Sequence, residues 1–287
     1  MYGVIPTAPS HPAADLAVLF THNSGYSTMC GHATIAIGRW AVEHGLVRPP
    51  AGPIAEFTLE CPCGPVRVRA HREAKSGAGE RIGRVEFDSV PAFALHLDRA
   101  VETKRHGRVV LDIAYGGAFY AILPASRLGL SIFETPLHEL IAAAVALTNQ
   151  TRAQIPIEHP SEPDLAFLYG TILTCDAAPD APSHNLCIFA EGQVDRSPTG
   201  SGVTARMALD HAKGLTGRGR PRLFRGLSGD PFSGEIVEER SAGGRPEVIV
   251  RVGGRAYYSG SASFLVEPED PLGDGLATPG RMSEIWR

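Results

Sequence analysis

Residues 27–36 of this chain read STMCGHATIA, and 169 positions further on residues 196–205 read RSPTGSGVTA. The same offset pairs two apolar runs that precede these stretches, residues 17–20 and residues 186–189. A repeat of this kind indicates two structurally related halves. Each copy has one layout: an apolar strand, a polar loop, a turn of small residues, and a helix that stops at a glycine.

Each copy predicts a helix directly after its turn of small residues. Residues 33–44 are apolar on nearly every side, which is typical of a helix enclosed by other elements. Gly45 follows where a left-handed residue ends a helix, and residues 203–213 run to Gly214 in the same way. The two small-residue turns are therefore predicted helix N-termini, whose unpaired backbone N–H groups can bind an anion.

The rest of the chain predicts a mixture of strands and helices, and the fold class is α+β. Runs of β-branched and aromatic residues predict strands at residues 56–60, 66–68, 109–113, 119–123, 248–252 and 263–266. A third helix is predicted over residues 136–147, with Thr135 as N-cap and Pro136 in the first helical position. Residues 74–84 and 215–229 are predicted to be exposed loops, and residues 271–287 a packed or frayed tail.

The composition is that of a folded protein that acts on something small. The chain has 287 residues, of which 43% are hydrophobic and 20% charged, enough apolar material for a core. The net charge of -4, without a run of one sign, argues against a nucleic-acid partner. The longest strictly apolar stretch, residues 140–147, is too short for a membrane span, and residues 1–6 lack the features of a secretory signal. We expect a cytoplasmic protein with reduced cysteines and no membrane partner.

The five cysteines divide into three groups. Cys30 opens the first predicted helix, where the helix end stabilises a reactive thiolate, although burial is the commonest role of a free cysteine. The residues alone leave both interpretations open. Cys61 and Cys63 resemble half of a zinc site, but no second pair follows at ligand spacing, so we interpret them as strand-edge thiols. Cys175 and Cys187 lie in apolar surroundings and are interpreted as core.

Three polar positions near the repeats have two interpretations each. Asp195 either begins an Asx-type turn or holds a carboxylate at the rim of the second anion site, facing a cationic ligand group. Residues 200–202, GSG, are a weak phosphate-loop signal without the lysine of a P-loop. His32 is either a ligand-contacting group or a helix-start residue, and the other histidines show no metal-type clustering.

Longer motifs around these residues resemble the proline racemase family. Residues 22–34, HNSGYSTMCGHAT, resemble its first active-site motif, and residues 195–206, DRSPTGSGVTAR, resemble its second. Residues 112–120, DIAYGGAFY, and residues 270–272, DPL, match as well, so the resemblance covers nearly the whole chain. Family members carry several tens of residues before the position that matches Met1, with a His-Thr-Gly-Gly-Glu-Pro-like motif that this sequence does not contain.

The resemblance implies two pseudo-symmetric α/β halves, similar to diaminopimelate epimerase, with the active site between them. Each half is expected to be a curved sheet around a central helix. Residues 1–107 with 262–287 would form the first half, and residues 108–261 the second. The resemblance implies an imino acid as the small-molecule substrate and catalysis without a cofactor or a metal, and it leaves a homodimer open.

The resemblance also assigns the site residues. Racemases and epimerases of the family place one cysteine from each half on opposite faces of the substrate Cα. Here Cys30 matches the first position and Thr199 the second, a substitution that marks the family's trans-3-hydroxy-L-proline dehydratases. The substrate-binding residues that the resemblance implies are Gly31, His32, Asp195, Gly200 and Ser201.

The chemistry of a hydroxyl at the second position agrees with this assignment. Racemisation needs a base and an acid on opposite faces, and an alkyl hydroxyl is a weak acid or nucleophile without an adjacent base. In trans-3-hydroxyproline the 3-hydroxyl shares a ring face with the Cα hydrogen, so Cys30 alone can serve elimination. We therefore predict dehydration to pyrroline-2-carboxylate. The alternatives are a 4-hydroxyproline 2-epimerase or proline racemase, and a catalytically inactive amino-acid-binding homologue.

Overall fold

One continuous sheet runs through the computed structural model, which describes residues 2–74, 79–175 and 181–273. The strands are β1 Gly3–Thr7, β2 Leu16–His22, β3 Gly25–Ser27, β4 Ile54–Cys61, β5 Gly64–Ala74, β6 Glu80–Asp88, β7 Phe93–Thr103, β8 Gly107–Tyr115, β9 Phe119–Pro124, β10 Leu168–Cys175, β11 Ser183–Phe189, β12 Gln193–Val194, β13 Arg222–Arg225, β14 Pro231–Ala242 and β15 Arg245–Arg255. The α-helices of the described residues are α1 Gly31–Glu43, α2 Leu137–Gln154 and α3 Gly200–Ala212.

The strand pairing repeats once along the chain. In the first copy β2 pairs antiparallel with β1 and β3 and parallel with β4, and β4, β5 and β6 follow as antiparallel neighbours. In the second copy β11 pairs antiparallel with β10 and β12 and parallel with β13, which continues antiparallel through β14 and β15. The helices α1 and α3 occupy equivalent places between β3 and β4 and between β12 and β13. The internal repeat predicted from the sequence is confirmed.

The two copies are joined edge to edge. Strand β6 of the first pairs antiparallel with β15 of the second, from Asp88 opposite Arg251 to Arg84 opposite Arg255. Residues up to Ala256 form one compact unit, and a second unit begins at Tyr257. The division of the halves at residue 107/108 stays a prediction; the hairpin of β7 and β8 runs across that position.

The central helices are buried because strands surround them. Helix α1 packs on β5, β6 and β15, and α3 packs on β7, β8, β14 and β15. Ile35 of α1 is 1% exposed and Val203 of α3 is 0% exposed. Burying one such side chain contributes about 1.5 to 3 kcal/mol. The apolar character of residues 33–44 on every side is thereby explained, and Gly45 and Gly214 both have φ of +70°, as predicted for residues that end a helix.

Several predicted boundaries are wrong. Residues 263–266 form no strand, and Phe264 is 90% exposed, so β-propensity without a packed partner did not produce one. Pro136, not Thr135, is the N-cap of α2, because Pro136 keeps an extended backbone while the Thr135 hydroxyl accepts the Ser131 amide. Helix α2 also continues to Gln154, beyond the predicted end.

The two predicted loops contain strands. Residues 80–84 belong to β6 and residues 222–225 to β13. Arg84 pairs with Glu86 in the same strand and Arg222 pairs with Asp210 of α3, so ion pairs hold arginines whose sequence context resembles a solvated loop. The tip of the first loop, residues 75–78, and residues 274–287 of the predicted tail lie outside the described residues. None of the described helices is long and apolar enough to cross a membrane.

Candidate active site

The N-termini of α1 and α3 meet head to head. A Cβ atom added to Gly31 would lie 2.4 Å from the Cα of Gly200, and one added to Gly200 would lie 2.5 Å from the Cα of Gly31. Only glycine allows backbones to approach this closely. The first N–H groups of each helix lack intrahelical acceptors and can bind an anion. Because the two helix ends meet, the two anion sites predicted from the sequence lie at one place.

Cys30 and Thr199 are the N-cap residues of α1 and α3. Neither side chain caps its own helix, and the Thr199 hydroxyl instead donates to Asp195. Both residues line one small cavity of about 10 Å³, room for about one water molecule. The cavity is also lined by Gly31, Asp195 and Ser201 from the predicted site, and by Tyr2, Met29, Tyr120, Tyr169 and Phe189.

Thr199 has a strained backbone. Its φ is +66°, in the left-handed region that a β-branched residue rarely adopts. Such a conformation costs about 1 to 3 kcal/mol and persists only where surrounding contacts impose it. Here the Thr199 hydroxyl donates to Asp195 Oδ2 at 3.0 Å, and the Thr199 amide donates to Ser197 Oγ at 3.1 Å.

His32 and Asp195 form an ion pair between the two copies of the repeat. His32 Nδ1 lies 3.3 Å from Asp195 Oδ1, with 31% of the His32 side chain and 6% of the Asp195 side chain exposed. Burial alone would lower the pKa of His32, but the adjacent Cys30 and the Asp195 carboxylate outweigh it and hold that pKa well above its usual value. The raised pKa favours the charged form of His32, which interacts with both Cys30 and Asp195.

Asp195 stays ionised because donors surround it. Both the amide and the hydroxyl of Ser197 donate to its Oδ1, each at 2.9 Å. Burial acts to raise the pKa of Asp195, while His32 and the Ser197 donors lower it below the usual range. The turn interpretation of Asp195 is confirmed, and the same carboxylate lies at the rim of the second helix N-terminus. The cation that it faces in this structure is His32.

Cys187 is a second thiol close to the site, interpreted from the sequence as core. It is 0% exposed, does not line the cavity, and hydrogen-bonds with the Thr199 side chain from behind. Burial and the neighbouring Asp195 raise the pKa of the Cys187 thiol far above neutrality. Among the described residues that line the cavity, Cys30 carries the one thiol.

Sequence reasoning missed the aromatic side of the cavity. The Tyr2 hydroxyl donates to Ser27 Oγ and lies 3.0 Å from the Tyr169 hydroxyl, and the Tyr169 ring stacks on Phe189 at 5.2 Å. Burial raises the pKa of both tyrosines, so both remain protonated phenols. Single aromatic residues in strands resemble core residues, and the sequence contained no signal that separates the two roles.

Tyr120 is the exception, because it ends the motif of residues 112–120, to which sequence reasoning gave no site role. Its hydroxyl lies 2.7 Å from Ser201 Oγ, in the first turn of α3. Ser201 is 1% exposed and Tyr120 is 0% exposed. This hydrogen bond fixes the hydroxyl of a predicted substrate-binding residue.

A larger cleft lies directly outside the small cavity. It has a volume of about 370 Å³, and it shares Tyr2, Phe189 and Asp195 with the inner cavity. His22, His32 and Arg196 complete its polar wall. Tyr2, Phe189 and Asp195 therefore form the common boundary of the outer cleft and the inner cavity.

The loop that carries Asp195 and Thr199 rests on a buried polar pair. Arg206 of α3, 3% exposed, donates through Nη1 to Asn185 Oδ1 at 3.0 Å. Asn185 Nδ2 in turn donates to the Pro198 carbonyl at 3.2 Å. These bonds hold the backbone before Thr199 against β11.

The cysteines that resemble half of a zinc site lie at the turn between β4 and β5. Cys61 ends β4, and Cys63 precedes β5. Burial raises the pKa of Cys63 to about 12, so it remains a thiol. Within residues 2–74, 79–175 and 181–273, no group of three or more His, Cys, Asp or Glu side chains is arranged to hold a metal ion.

Comparisons with known proteins agree with this geometry. The family model described as proline racemase matches residues 1–277. The chain is 48% identical to a trans-L-3-hydroxyproline dehydratase of Xenopus tropicalis over 279 residues, which covers 96% of this chain and 79% of that protein. It is 50% identical to a trans-3-hydroxy-L-proline dehydratase of Homo sapiens over 281 residues, which covers 96% and 78%.

A solved structure extends the similarity to the fold. The crystal structure of a hydroxyproline epimerase from Agrobacterium vitis, with bound trans-4-hydroxy-L-proline, superposes with a TM-score of 0.85 at 27% sequence identity. The match covers 96% of this chain and 77% of that one. The chain belongs to the proline racemase family.

Proposed function

We propose that this chain catalyses the dehydration of trans-3-hydroxy-L-proline to pyrroline-2-carboxylate. Two relatives at about half identity over 96% of the chain carry the dehydratase name. The observation that carries the proposal is the asymmetry of the cavity, which is lined by Cys30 at the N-terminus of α1 and by Thr199, not a second cysteine, at the N-terminus of α3. A site of this kind handles protons on one face of a substrate.

Cys30 is the proposed base that removes the Cα proton. His32 lies beside it with a raised pKa, and Asp195 pairs with His32 and favours its charged form. This is the pattern by which an adjacent group activates a cysteine and a third group orients that neighbour. The Thr199 hydroxyl donates to Asp195, but the pKa of that carboxyl is lowered, so the carboxylate is too weak a base to deprotonate an alkyl hydroxyl.

The substrate carboxylate is proposed to bind where the two helix N-termini meet. The backbone N–H groups of Gly31, His32, Gly200 and Ser201 lie in the first turns of α1 and α3. As the Cα proton leaves, negative charge moves onto the carboxylate oxygens to form an enediolate. Fixed donors aimed at developing charge stabilise a transition state more than a ground state, at about 3 to 4 kcal/mol for one donor.

Elimination then completes on the same face. The electrons of the Cα–H bond form the Cα–C3 double bond while the C3–O bond breaks, and the departing hydroxyl leaves as water after it gains a proton. Two groups on that face carry one: the thiol that Cys30 has become, and the His32 imidazolium. The unsaturated product tautomerises to pyrroline-2-carboxylate without the enzyme.

Asp195 is proposed to pair with the ring ammonium of the substrate. The carboxylate is ionised and is bonded to His32, Ser197 and Thr199 in this structure. The inner cavity of about 10 Å³ is smaller than a pyrrolidine ring, so the proposal requires this cavity to widen when the substrate binds.

The proposed compartment is the cytoplasm, and the proposed assembly is a homodimer. All five cysteines are free thiols, in keeping with a reducing compartment. Light scattering of the purified protein, together with fractionation of the source cells, tests both statements.

The test is a comparison of three substrates in deuterium oxide. Trans-3-hydroxy-L-proline, L-proline and trans-4-hydroxy-L-proline are each incubated with the enzyme, and NMR follows water loss and deuterium entry at Cα. Pyrroline product from the first substrate alone is expected. Inversion of either other substrate would replace the proposal with an epimerase or racemase, and no reaction with any of them would favour an amino-acid-binding homologue.

Two cysteine variants locate the base. Cys30→Ser is expected to abolish water loss, because a serine hydroxyl is a far weaker base than a thiolate at neutral pH. Cys175→Ser is the matched control, since Cys175 ends β10 away from the cavity, and it should keep full turnover. Full turnover in Cys30→Ser would remove Cys30 from the mechanism.

A further inference from the structure

A phenol hydroxyl that has no role in the steps above lies beside Cys30. Tyr2 and Cys30 both line the inner cavity, and the Tyr2 hydroxyl lies close enough to the Cys30 side chain to interact with it. The Tyr2 hydroxyl also donates to Ser27 Oγ, which donates to the carbonyl of Met29, the residue before Cys30. Tyr2 is therefore anchored to the same segment of chain as the proposed base.

The other hydroxyl groups that line the inner cavity have different neighbours. Thr199 and Ser201 belong to the N-terminus of α3, and the Tyr120 hydroxyl lies 2.7 Å from Ser201 Oγ. The Tyr169 hydroxyl lies 3.0 Å from that of Tyr2. On the side of the cavity where α1 begins, Tyr2 is thus the hydroxyl that borders the base.

The contacts of Tyr2 fix its ring but let its proton turn. The Tyr2 ring meets the His32 ring in a T-shaped contact at 5.2 Å, and the Tyr169 hydroxyl is near enough to donate to the Tyr2 oxygen. A phenol proton turns about its C–O bond, and the oxygen can donate and accept at the same time. Tyr2 can therefore turn its proton from Ser27 to a substrate oxygen while it still accepts from Tyr169.

The surroundings of Tyr2 keep it protonated between turnovers. Burial and the adjacent Cys30 raise the pKa of Tyr2, so its oxygen carries a proton at neutral pH. A phenolate formed there would regain a proton from a neighbouring thiol, since the ordinary pKa of a thiol is about 8.5 and that of a phenol about 10. Tyr2 and Cys30 can thus exchange a proton in the direction that restores the phenol.

The geometry of the proposed substrate brings its leaving group to the same side. In trans-3-hydroxy-L-proline the 3-hydroxyl shares a ring face with the Cα hydrogen, and C3 is bonded directly to Cα. A base that reaches the Cα hydrogen therefore has the 3-hydroxyl next to it. Tyr2 borders Cys30 on that side of the cavity.

We infer that Tyr2 is the catalytic acid that binds the 3-hydroxyl and donates the proton with which it leaves, an inference that rests on the proposed dehydration. Cys30 takes the Cα proton, the electrons of the Cα–H bond form the Cα–C3 double bond, and the C3–O bond breaks. The Tyr2 proton joins the departing oxygen to give water. The Cys30 thiol then passes its proton to the Tyr2 phenolate, which restores both groups without a further proton source.

The test compares two leaving groups on the full chain. Trans-3-hydroxy-L-proline must gain a proton to lose water, whereas trans-3-fluoro-L-proline loses fluoride, a weak base that leaves without one. Tyr2→Phe keeps the ring and removes the hydroxyl, so water loss should fall by about 100-fold or more while fluoride loss stays within about fivefold of the parent. Tyr26→Phe, the same change at a tyrosine of β3 that is 70% exposed, is the matched control and should match the parent with both substrates.

The outcomes separate this inference from the proposed function. A selective loss of water elimination in Tyr2→Phe supports the inference, because a residue that only positions its neighbours would affect both reactions alike. Water loss at the parent rate in Tyr2→Phe, or an equal fall with both substrates, overturns the inference and leaves the proposed function intact. A parent enzyme that releases neither water nor fluoride overturns the proposed function itself, and the inference with it.

Discussion

Replacing Asp195 with asparagine tests the electrostatic arrangement at the centre of the site. The carboxylate accepts from Ser197 and Thr199 and pairs with His32 at 3.3 Å. Asparagine keeps the shape of the side chain but removes its charge and turns one acceptor into a donor. We expect loss of stability, loss of activity and a changed dependence of stability on pH.

The magnitude follows from burial. Breaking a buried ion pair costs about 3 to 5 kcal/mol, but 31% of the His32 side chain is exposed, so solvent screens part of the interaction. We therefore expect Asp195→Asn to lower the free energy of unfolding by about 2 to 3 kcal/mol at pH 6.

The pH dependence has a definite sign. The pKa of His32 is raised in the folded state, so its contribution to stability is complete below about pH 6.5 and is lost as the pH rises through the folded value. The pKa of Asp195 is lowered, so its contribution is complete above about pH 4 and is lost as the pH falls through the folded value. The pair stabilises the fold most between those limits.

The assay is urea unfolding of both proteins at pH 6 and pH 9. Between these values the parent should lose more stability than Asp195→Asn does, because the Asp195 carboxylate helps to raise the pKa of His32. Ser197→Ala is the matched control, because it removes a donor to Asp195 but keeps the charge; it should lower stability equally at both pH values. An identical pH dependence in the parent and Asp195→Asn would refute the pairing as described.

Three further substitutions test the contacts at the two ends of α3. Gly200→Ala should lower activity by at least about 100-fold and stability by about 1 to 3 kcal/mol in a paired assay and melt, because its Cβ would meet the Gly31 backbone at 2.5 Å; wild-type behaviour would contradict the close approach. Lys213→Met should lower the free energy of unfolding in urea by about 3 kcal/mol, because it removes the Nζ that lies 2.6 Å from the Asp112 carboxylate, and Asp112 is only 4% exposed. Adding Asp112→Asn should restore part of this stability, and no recovery would argue against the ion pair. Tyr120→Phe should cost about 1 kcal/mol by removing the 2.7 Å hydrogen bond to Ser201, and an unchanged melting temperature would show that this bond is not formed.

The repeat predicted more of the fold than local propensity did. The offset of 169 positions between the two copies predicted both central helices, the glycines that end them and the strands before them. These elements could be predicted because they carry periodic apolar residues and obligatory glycines. The long hairpins were missed or shortened, since arginines of β6 and β13 that form ion pairs look like loop residues in one dimension. The strand predicted at residues 263–266 was wrong for the opposite reason, because the composition of these residues suits a strand but they form none.

In the site, too, residues that belong to sequence motifs could be predicted, whereas contacts between distant residues could not. Cys30, Asp195 and Thr199 belong to two motifs, and the resemblance of those motifs to the proline racemase family implied a common site between the two halves. The His32–Asp195 pair joins residues 163 positions apart, and Tyr2 and Tyr169 meet across 167. Contacts of that length depend on how the two copies dock, which no local pattern encodes. The sequence correctly predicted Cys187 as a core residue, but it did not predict the contact between Cys187 and Thr199.

The most direct measurement is the stereochemistry of unreacted trans-3-hydroxy-L-proline recovered from deuterium oxide at partial conversion. With proton-handling groups on one face only, the parent enzyme should yield the pyrroline product and no substrate inverted at Cα, whereas Thr199→Cys should yield some of the inverted epimer. Inverted substrate accumulating with the parent enzyme would contradict the account.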